Sequence, residues 1–171
     1  MLSDSADCPP SPSREYSGAV PQFRSVSVTD ALAHELLTEY FNYRAESFPS
    51  PLGYVTTFPT AEQFTPPLGV FLLVEESGSA RGCGGIRQLD SARYEVKHLW
   101  VRPEGRGTGL GRQLLSELEE RARQWGALEL VLDTNESLAA AGGLYRSSGF
   151  ESVVPYNDNP NATTWYRKVL A

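Results

Sequence analysis

Apolar residues recur along this chain with two different spacings, which predict where its helices and strands lie. A spacing of three to four residues predicts two amphipathic helices, whose inward faces are Ala31, Leu32, Leu36, Leu37, Tyr40 and Phe41 in the first and Leu110, Leu114, Leu115, Leu118 and Ala122 in the second. Alternating or continuous apolar runs of strand length predict strands at residues 22–28, 69–75, 81–89, 93–101, 128–132, 151–154 and 163–170.

The order of these elements predicts the fold class. A short helix near residues 60–64 and a helix that ends near Tyr145 join the two amphipathic ones, so we expect an α/β (α+β) chain with a mixed, mostly antiparallel sheet of about six to seven strands and about four helices. The helix that starts at Leu110 separates two strands and predicts one parallel crossover. At 171 residues the chain is long enough for one domain and too short to need two.

Composition adds information on the N-terminus and on partners. Residues 1–21 are rich in Ser, Pro and Asp, which predicts a disordered tail before a domain over residues 22–171. A net charge of −6 argues against nucleic acid or an anionic membrane as the main partner. No apolar stretch typical of a signal peptide follows the first residues, so a cytoplasmic location is expected. Cys8 and Cys83 have no spacing that predicts a disulfide framework or a metal site.

A glycine-rich segment between a strand and a helix, residues 101–112, is the main chemical signal of the chain. Its sequence is Val-Arg-Pro-Glu-Gly-Arg-Gly-Thr-Gly-Leu-Gly-Arg. Unpaired N–H groups and the positive dipole end at a helix N-terminus favour a bound anion, and the two arginines at 106 and 112 favour phosphate. The segment therefore predicts a pyrophosphate site.

Three kinds of loop compete for this pattern. A P-loop needs a Lys-Ser or Lys-Thr pair that the chain lacks. A Rossmann fingerprint starting at Gly107 would place its third glycine at Arg112, although Asp133 is a candidate for the ribose-binding acid. The third pattern is Arg/Gln-x-x-Gly-x-Gly/Ala, which Arg106, Gly109 and Gly111 fill completely.

This third pattern resembles the acyl-CoA loop of the GNAT acetyltransferase superfamily. A second segment, Leu-Tyr-Arg-Ser-Ser-Gly-Phe at residues 144–150, is similar to the Leu-Tyr-x-x-x-Gly-Phe that closes the same domain in that family. The order strand, loop, helix, strand, helix, strand is also the family's. The resemblance is sharpest from about Tyr94 to Val154 and implies a GNAT fold over residues 22–171.

The resemblance implies acetyl-CoA as the acyl donor and no metal. The cofactor-binding residues that it implies are Leu99, Trp100, Val101, Arg106, Gly107, Thr108, Gly109, Leu110, Gly111, Arg112, Asn135 and Tyr145. In the family a bulge splays the strand before the loop from its parallel neighbour, and N–H groups at residues 99–101 would then polarise the thioester carbonyl. The family often has an asparagine seven residues before the motif tyrosine; that position is Leu138, so Asn135 is the candidate in its place.

Two residues are the candidates for acid–base chemistry. The resemblance implies that Tyr145 donates a proton to the leaving thiolate, and that Glu95, on the strand before the loop, takes the proton of the ammonium. His98 is the alternative base, although strand alternation places it opposite Glu95 unless a bulge intervenes. Because Cys83 has no recognised nucleophile motif around it, we expect direct attack in a ternary complex rather than a covalent intermediate.

The acceptor is expected to be a small primary amine, bound where the variable halves of the domain meet. Candidates for its pocket are aromatic and polar residues: Tyr43, Phe48, Tyr54, Phe58, Phe64, Tyr156, Asn157, Asp158 and Trp165. A homodimer is expected from the last strands of related proteins. The alternatives are a non-catalytic acyl-CoA sensor and a Rossmann-type oxidoreductase.

Overall fold

The computed structural model describes residues 19–170. Cys8 and all but the last three residues of the predicted disordered tail lie outside the described residues. Within them, none of the helices has the length and apolar character needed to span a bilayer.

One sheet of seven strands organises the described chain, in the order β1-β2-β3-β4-β5-β7-β6. Its strands are β1 Gln22–Val26, β2 Gly69–Glu76, β3 Ser79–Gln88, β4 Arg93–Val101, β5 Glu129–Thr134, β6 Glu151–Val153 and β7 Thr164–Val169. Neighbouring strands are antiparallel except β4 and β5, which are parallel. This confirms the mixed, mostly antiparallel sheet and excludes a Rossmann-type domain, which has a mostly parallel sheet.

Three α-helices flank the sheet: α1 Ala31–Glu46, α2 Leu110–Gln124 and α3 Ala139–Ser147. Asp30 caps α1, since its carboxylate accepts from the Leu32 N–H at 2.9 Å and the Ala33 N–H at 3.2 Å. Near residues 60–64, where at most a short helix was expected, the chain forms a 3₁₀ turn, Glu62–Phe64; a second 3₁₀ turn at Pro103–Gly105 was not predicted. The prediction of about four helices is therefore corrected to three α-helices in the described chain.

The two faces of the sheet bury separate hydrophobic clusters. On one face α2 packs its leucines against β2, β4 and β5, in a cluster that includes Leu72, Val96, Leu114, Leu118 and Leu130. On the other face α1 packs against β2 and β3, in a cluster that includes Leu36, Phe41, Phe71, Leu73 and Cys83. The sheet thus carries a hydrophobic core on each side.

The parallel strands β4 and β5 separate after a short contact. They pair only where Arg93–Glu95 faces Glu129–Val131. Beyond that point β4 continues to Val101, whereas β5 continues to Thr134 in pairing with β7. The two strands therefore leave a gap that opens toward the glycine-rich loop, as the family resemblance implies.

A bulge at His98 and Leu99 lies beside this gap. Cys83 pairs with Trp100 and Gly85 with Lys97, so Gly84 faces two residues of β4. His98 has a φ of 56°, which is uncommon for a residue other than glycine. The bulge changes the alternation of side chains: His98 packs against Phe41 on the α1 side, while Leu99 joins the α2 cluster.

Candidate active site

The glycine-rich loop leads into α2 with its N–H groups uncapped. Gly107 and Gly109 have φ values of 75° and 87°, a conformation that strains any residue with a Cβ atom. Gly109 is the N-cap residue of α2, and no side chain caps the helix there. The first backbone N–H groups of α2 are therefore free to bind an anion.

A cavity of about 540 Å³ lies against this loop and is called the loop cavity below. Ten of the twelve predicted cofactor-binding residues line it: Leu99, Trp100, Val101, Arg106, Gly107, Gly109, Leu110, Gly111, Arg112 and Tyr145. Thr108 does not line it, because its hydroxyl turns back and donates to the Gly105 carbonyl at 2.7 Å. The loop cavity also includes Ser137, Leu138 and Ala139 from the start of α3, which sequence analysis did not single out.

Arg106 and Arg112 are held in place without a carboxylate partner among residues 19–170. Arg106 lies over the Trp100 ring at 4.8 Å and donates to the Val101 carbonyl at 2.9 Å. Arg112 donates to the Ser147 carbonyl at 3.1 Å and hydroxyl at 2.7 Å. Both positive charges are therefore oriented beside the helix N-terminus and not neutralised, as a pyrophosphate site needs.

Asn135 lies away from the loop cavity. Its side chain is buried, accepts from the Ser137 N–H at 3.0 Å and donates to the Asn161 carbonyl at 3.4 Å. These bonds shape the turn after β5, so this structure does not support the predicted contact of Asn135 with the cofactor. Leu138, at the family's asparagine position, does line the cavity.

A second cavity of about 500 Å³ lies on the α1 side of the sheet and is called the polar cavity below. Its walls come from α1, residues 54–63, β4, the end of β5 and residues 157–161. Asn161 clasps two of these walls together: its side-chain amide donates to the Val55 carbonyl at 2.8 Å and accepts from the Val55 N–H at 2.9 Å.

The two cavities meet at a shared wall. The residues that line both are Tyr40, Arg44, Leu99, Leu138, Ala141 and Tyr145. The ring of Tyr145 packs against Phe150 at 6.0 Å and Tyr166 at 5.8 Å. Burial raises the pKa of Tyr145 to about 12, and its side chain borders both cavities. Tyr145 therefore offers a protonated hydroxyl where the cavities join.

Glu95 is fully buried and lines neither cavity. Its carboxylate accepts from Arg87 Nε at 2.8 Å and from the Tyr156 hydroxyl at 2.9 Å, and Lys97 Nζ lies at 3.2 Å. Both carboxylate oxygens are thus occupied by donors. The structure does not bring Glu95 to a place where it would contact an amine in the polar cavity.

Asp133, at the end of β5, lines the polar cavity and was considered from sequence only as a ribose-binding acid. Burial acts to raise its pKa, but the charge of Lys97 and donors from Asn157 and Asn159 together hold the pKa below its ordinary value. Lys97 Nζ lies 3.1 Å from Asp133 and 3.2 Å from Glu95, so it bridges the two carboxylates. The signal that was missed is a charged residue at the end of an apolar strand.

His98 also lines the polar cavity, because the bulge turns it toward α1. Burial among Tyr40, Phe41 and Phe64 lowers the pKa of His98 to about 3, and the positive charge of Lys97 adds to the effect. A neutral imidazole with so low a pKa is a weak proton acceptor, which argues against His98 as the alternative base.

The predicted aromatic pocket forms only in part. Tyr54, Phe58 and Asn157 line the polar cavity, and Tyr43 lines the loop cavity. Phe64 is core, Phe48 packs against Tyr54, and Trp165 donates to Asn157. Tyr156 bonds to Glu95, and Asp158 lines neither cavity. Across residues 19–170 there is no group of three or more His, Cys, Asp or Glu side chains that would hold a metal ion.

Comparison with known proteins gives the family of the chain. Residues 30–150 match the Acetyltransferase (GNAT) family. The chain is 32% identical over 134 residues to an IAA acetyltransferase of Azospirillum brasilense, covering 78% of this chain and 85% of that protein. It is 40% identical over 83 residues to an L-methionine sulfoximine/L-methionine sulfone acetyltransferase of Salmonella typhimurium, covering 46% and 48% of the two chains.

Solved structures agree on the fold. A GNAT-family acetyltransferase of Staphylococcus aureus superimposes with a TM-score of 0.72 at 16% identity, over 88% of this chain and all of that one. Several other solved neighbours hold acetyl-CoA or CoA. The relatives are enzymes by name, which favours acetyl transfer over a binding-only sensor. The chain belongs to the GNAT acetyltransferase family and is an N-acetyltransferase.

Proposed function

We propose that this N-acetyltransferase modifies a primary amine of a small molecule, by direct attack in a ternary complex. The observation that supports this most is the meeting of the two cavities at Tyr145. The polar cavity, at about 500 Å³, has the size of a small-molecule site. The sulfoximine and sulfone substrates in the name of the Salmonella relative are also small molecules that bear an amine.

The loop cavity would hold acetyl-CoA, which supplies the acetyl thioester. The uncapped start of α2, with Arg106 and Arg112 beside it, suits the pyrophosphate. Leu99 of the β4 bulge and the next residue, Trp100, border the same cavity, where the thioester carbonyl would be polarised.

Tyr145 serves the leaving group in this proposal. The amine nitrogen attacks the acetyl carbon, an N–C bond forms and the C–S bond breaks. The thiolate then takes a proton from the Tyr145 hydroxyl, and the proton lost by the attacking nitrogen returns to Tyr145 through water. A hydroxyl with a pKa of about 12 keeps its proton at neutral pH until the thiolate develops.

We assign Glu95 a positioning role instead of the direct base role expected from sequence. Its carboxylate fixes Arg87 and Lys97, which both line the polar cavity. The ammonium proton would leave to water in that cavity, near the ionised Asp133. The cytoplasmic location and the homodimer stay predictions from the sequence.

The test is turnover with a panel of small amines, followed by release of free CoA thiol, with acetyl-CoA binding measured separately by calorimetry. We expect acetyl-CoA to bind and at least one amine to be acetylated, with the product seen by mass spectrometry. Pre-incubation with acetyl-CoA alone should leave no acetyl group on the protein. A stable acetyl-protein intermediate that an amine then discharges would contradict direct attack.

A further inference from the structure

Arg44, in the last turn of α1, is a buried cation without an anion. Its side chain is 94% buried, since only 6% of the residue is exposed, and it borders both cavities. Its Nε has no hydrogen-bond partner, and no carboxylate of residues 19–170 pairs with it. The Tyr54 ring lies 5.2 Å from the guanidinium carbon and compensates part of its charge.

The other cations of the polar cavity are paired. Arg87 lies 2.7 Å from Glu95, and Lys97 bridges Glu95 and Asp133. A guanidinium taken out of water without a counter-ion is unfavourable by roughly several kcal/mol, so buried charges in proteins are normally paired. The unpaired state of Arg44 thus points to a negatively charged ligand.

The position of Arg44 indicates which anion it binds. The phosphates of acetyl-CoA have their own donors in Arg106, Arg112 and the start of α2. Arg44 lies instead on the wall that the cavities share, together with Tyr145. Its charge acts on the Tyr145 hydroxyl, where it partly opposes the rise in pKa caused by burial. An anion on Arg44 would therefore lie at the wall between the two cavities, close to Tyr145 and the acyl transfer point.

We propose that Arg44 binds a carboxylate of the acceptor, so that the amine acetylated by this enzyme is an amino acid. This assignment rests on the proposed function above and adds the substrate class. The planar guanidinium offers two parallel donors to a carboxylate. Asp133, ionised in the same cavity, gives the amine end of such a zwitterion a negative neighbour.

The experiment compares each amino acid with its own amide and its decarboxylated amine, for example L-phenylalanine, L-phenylalanine amide and phenethylamine. We expect the parent enzyme to acetylate the best amino acid with the highest kcat/KM of its set. Arg44→Gln should lower that kcat/KM roughly 30- to 1,000-fold, mainly through KM, because a buried charge pair loses one partner. For the amide the change should stay below about 3-fold, and the affinity for acetyl-CoA should not change.

A matched control is Arg146→Gln, which removes an arginine from the last turn of α3 outside both cavities and should leave the amino acid preference intact. If Arg44→Gln does not fold, Arg44→Lys keeps the charge without the planar donors and should give a smaller loss, again only for amino acids. Parent enzyme that prefers amides, or variants that lose both substrates equally, would overturn the assignment of Arg44 alone. Binding of acetyl-CoA without acetylation of any amine would overturn the proposed function itself.

Discussion

Removal of the Tyr145 hydroxyl is the sharpest test of the chemistry. Tyr145→Phe keeps the ring against Phe150 and Tyr166. The variant removes only the hydroxyl of a side chain that borders both cavities, so the packed rings keep their contacts. We therefore expect the free energy of unfolding to change by less than about 0.5 kcal/mol, measured by chemical denaturation.

The expected effect on turnover follows from the leaving group. A thiol loses its proton near pH 8.5, so a thiolate is a moderate leaving group at neutral pH and needs only partial help. We expect kcat to fall about 10- to 1,000-fold, or about 1.4 to 4 kcal/mol of barrier. Acetyl-CoA affinity should stay within a few fold. Because burial raises the pKa of Tyr145 to about 12, the parent should show no loss of kcat from this group below pH 10.

Tyr166→Phe is the matched control. Its ring also packs in the core, but its hydroxyl accepts from Arg146 at 3.1 Å and lines neither cavity. This variant should lose about 1 kcal/mol of stability and keep its kcat, which is the opposite pattern. Full turnover in Tyr145→Phe, or equal loss in both variants, would refute the role of Tyr145 as acid.

Four further predictions follow from the site. Gly109→Asp should lower acetyl-CoA affinity at least about 100-fold in calorimetry, since it places a negative charge among phosphate ligands; Gly126→Asp, with a similar φ of 81° at the far end of α2, should lower stability but not affinity. Glu95→Gln should lower kcat/KM by a factor that is constant with pH, whereas a loss concentrated at low pH would restore Glu95 as the base. The depressed pKa of Asp133 contributes stability that is present above about pH 4 and lost as pH falls through the folded pKa. In Asp133→Asn the free energy of unfolding, measured by chemical denaturation, should therefore depend less on pH in that range. His98 should stay neutral by NMR down to pH 5, because its pKa is lowered to about 3, and protonation of the unfolded chain below about pH 6.5 then disfavours folding.

The features that were predicted best from the sequence are those that depend on local structure. The loop at residues 106–112 and helix α2 depend on glycine positions and on a helical stripe of leucines, both of which are visible along the chain. All seven strands were predicted within a few residues of their observed ends. Tyr145 was placed at the site because its segment resembles a family motif that includes its whole helical turn.

Residues that depend on tertiary contacts were missed or misplaced. Side-chain alternation along β4 gives no sign that a bulge turns His98 to the same side as Lys97. Nor does the alternation show that Arg87 and Lys97 form ion pairs with Glu95, since these pairs form only after the strands assemble. Arg44 did leave a signal, because it falls three residues after Phe41 on the apolar stripe of α1.

The clasp between Asn161 and Val55 bears on the order in which the site assembles. It joins residues 106 positions apart in the chain, through two hydrogen bonds at the surface. The wall of the loop cavity that would bind the pyrophosphate, in contrast, consists of consecutive residues of β4, the loop and α2. Contacts of long sequence separation form late and open early when a protein is destabilised. A destabilised variant is therefore expected to bind the amine more weakly while it still binds acetyl-CoA.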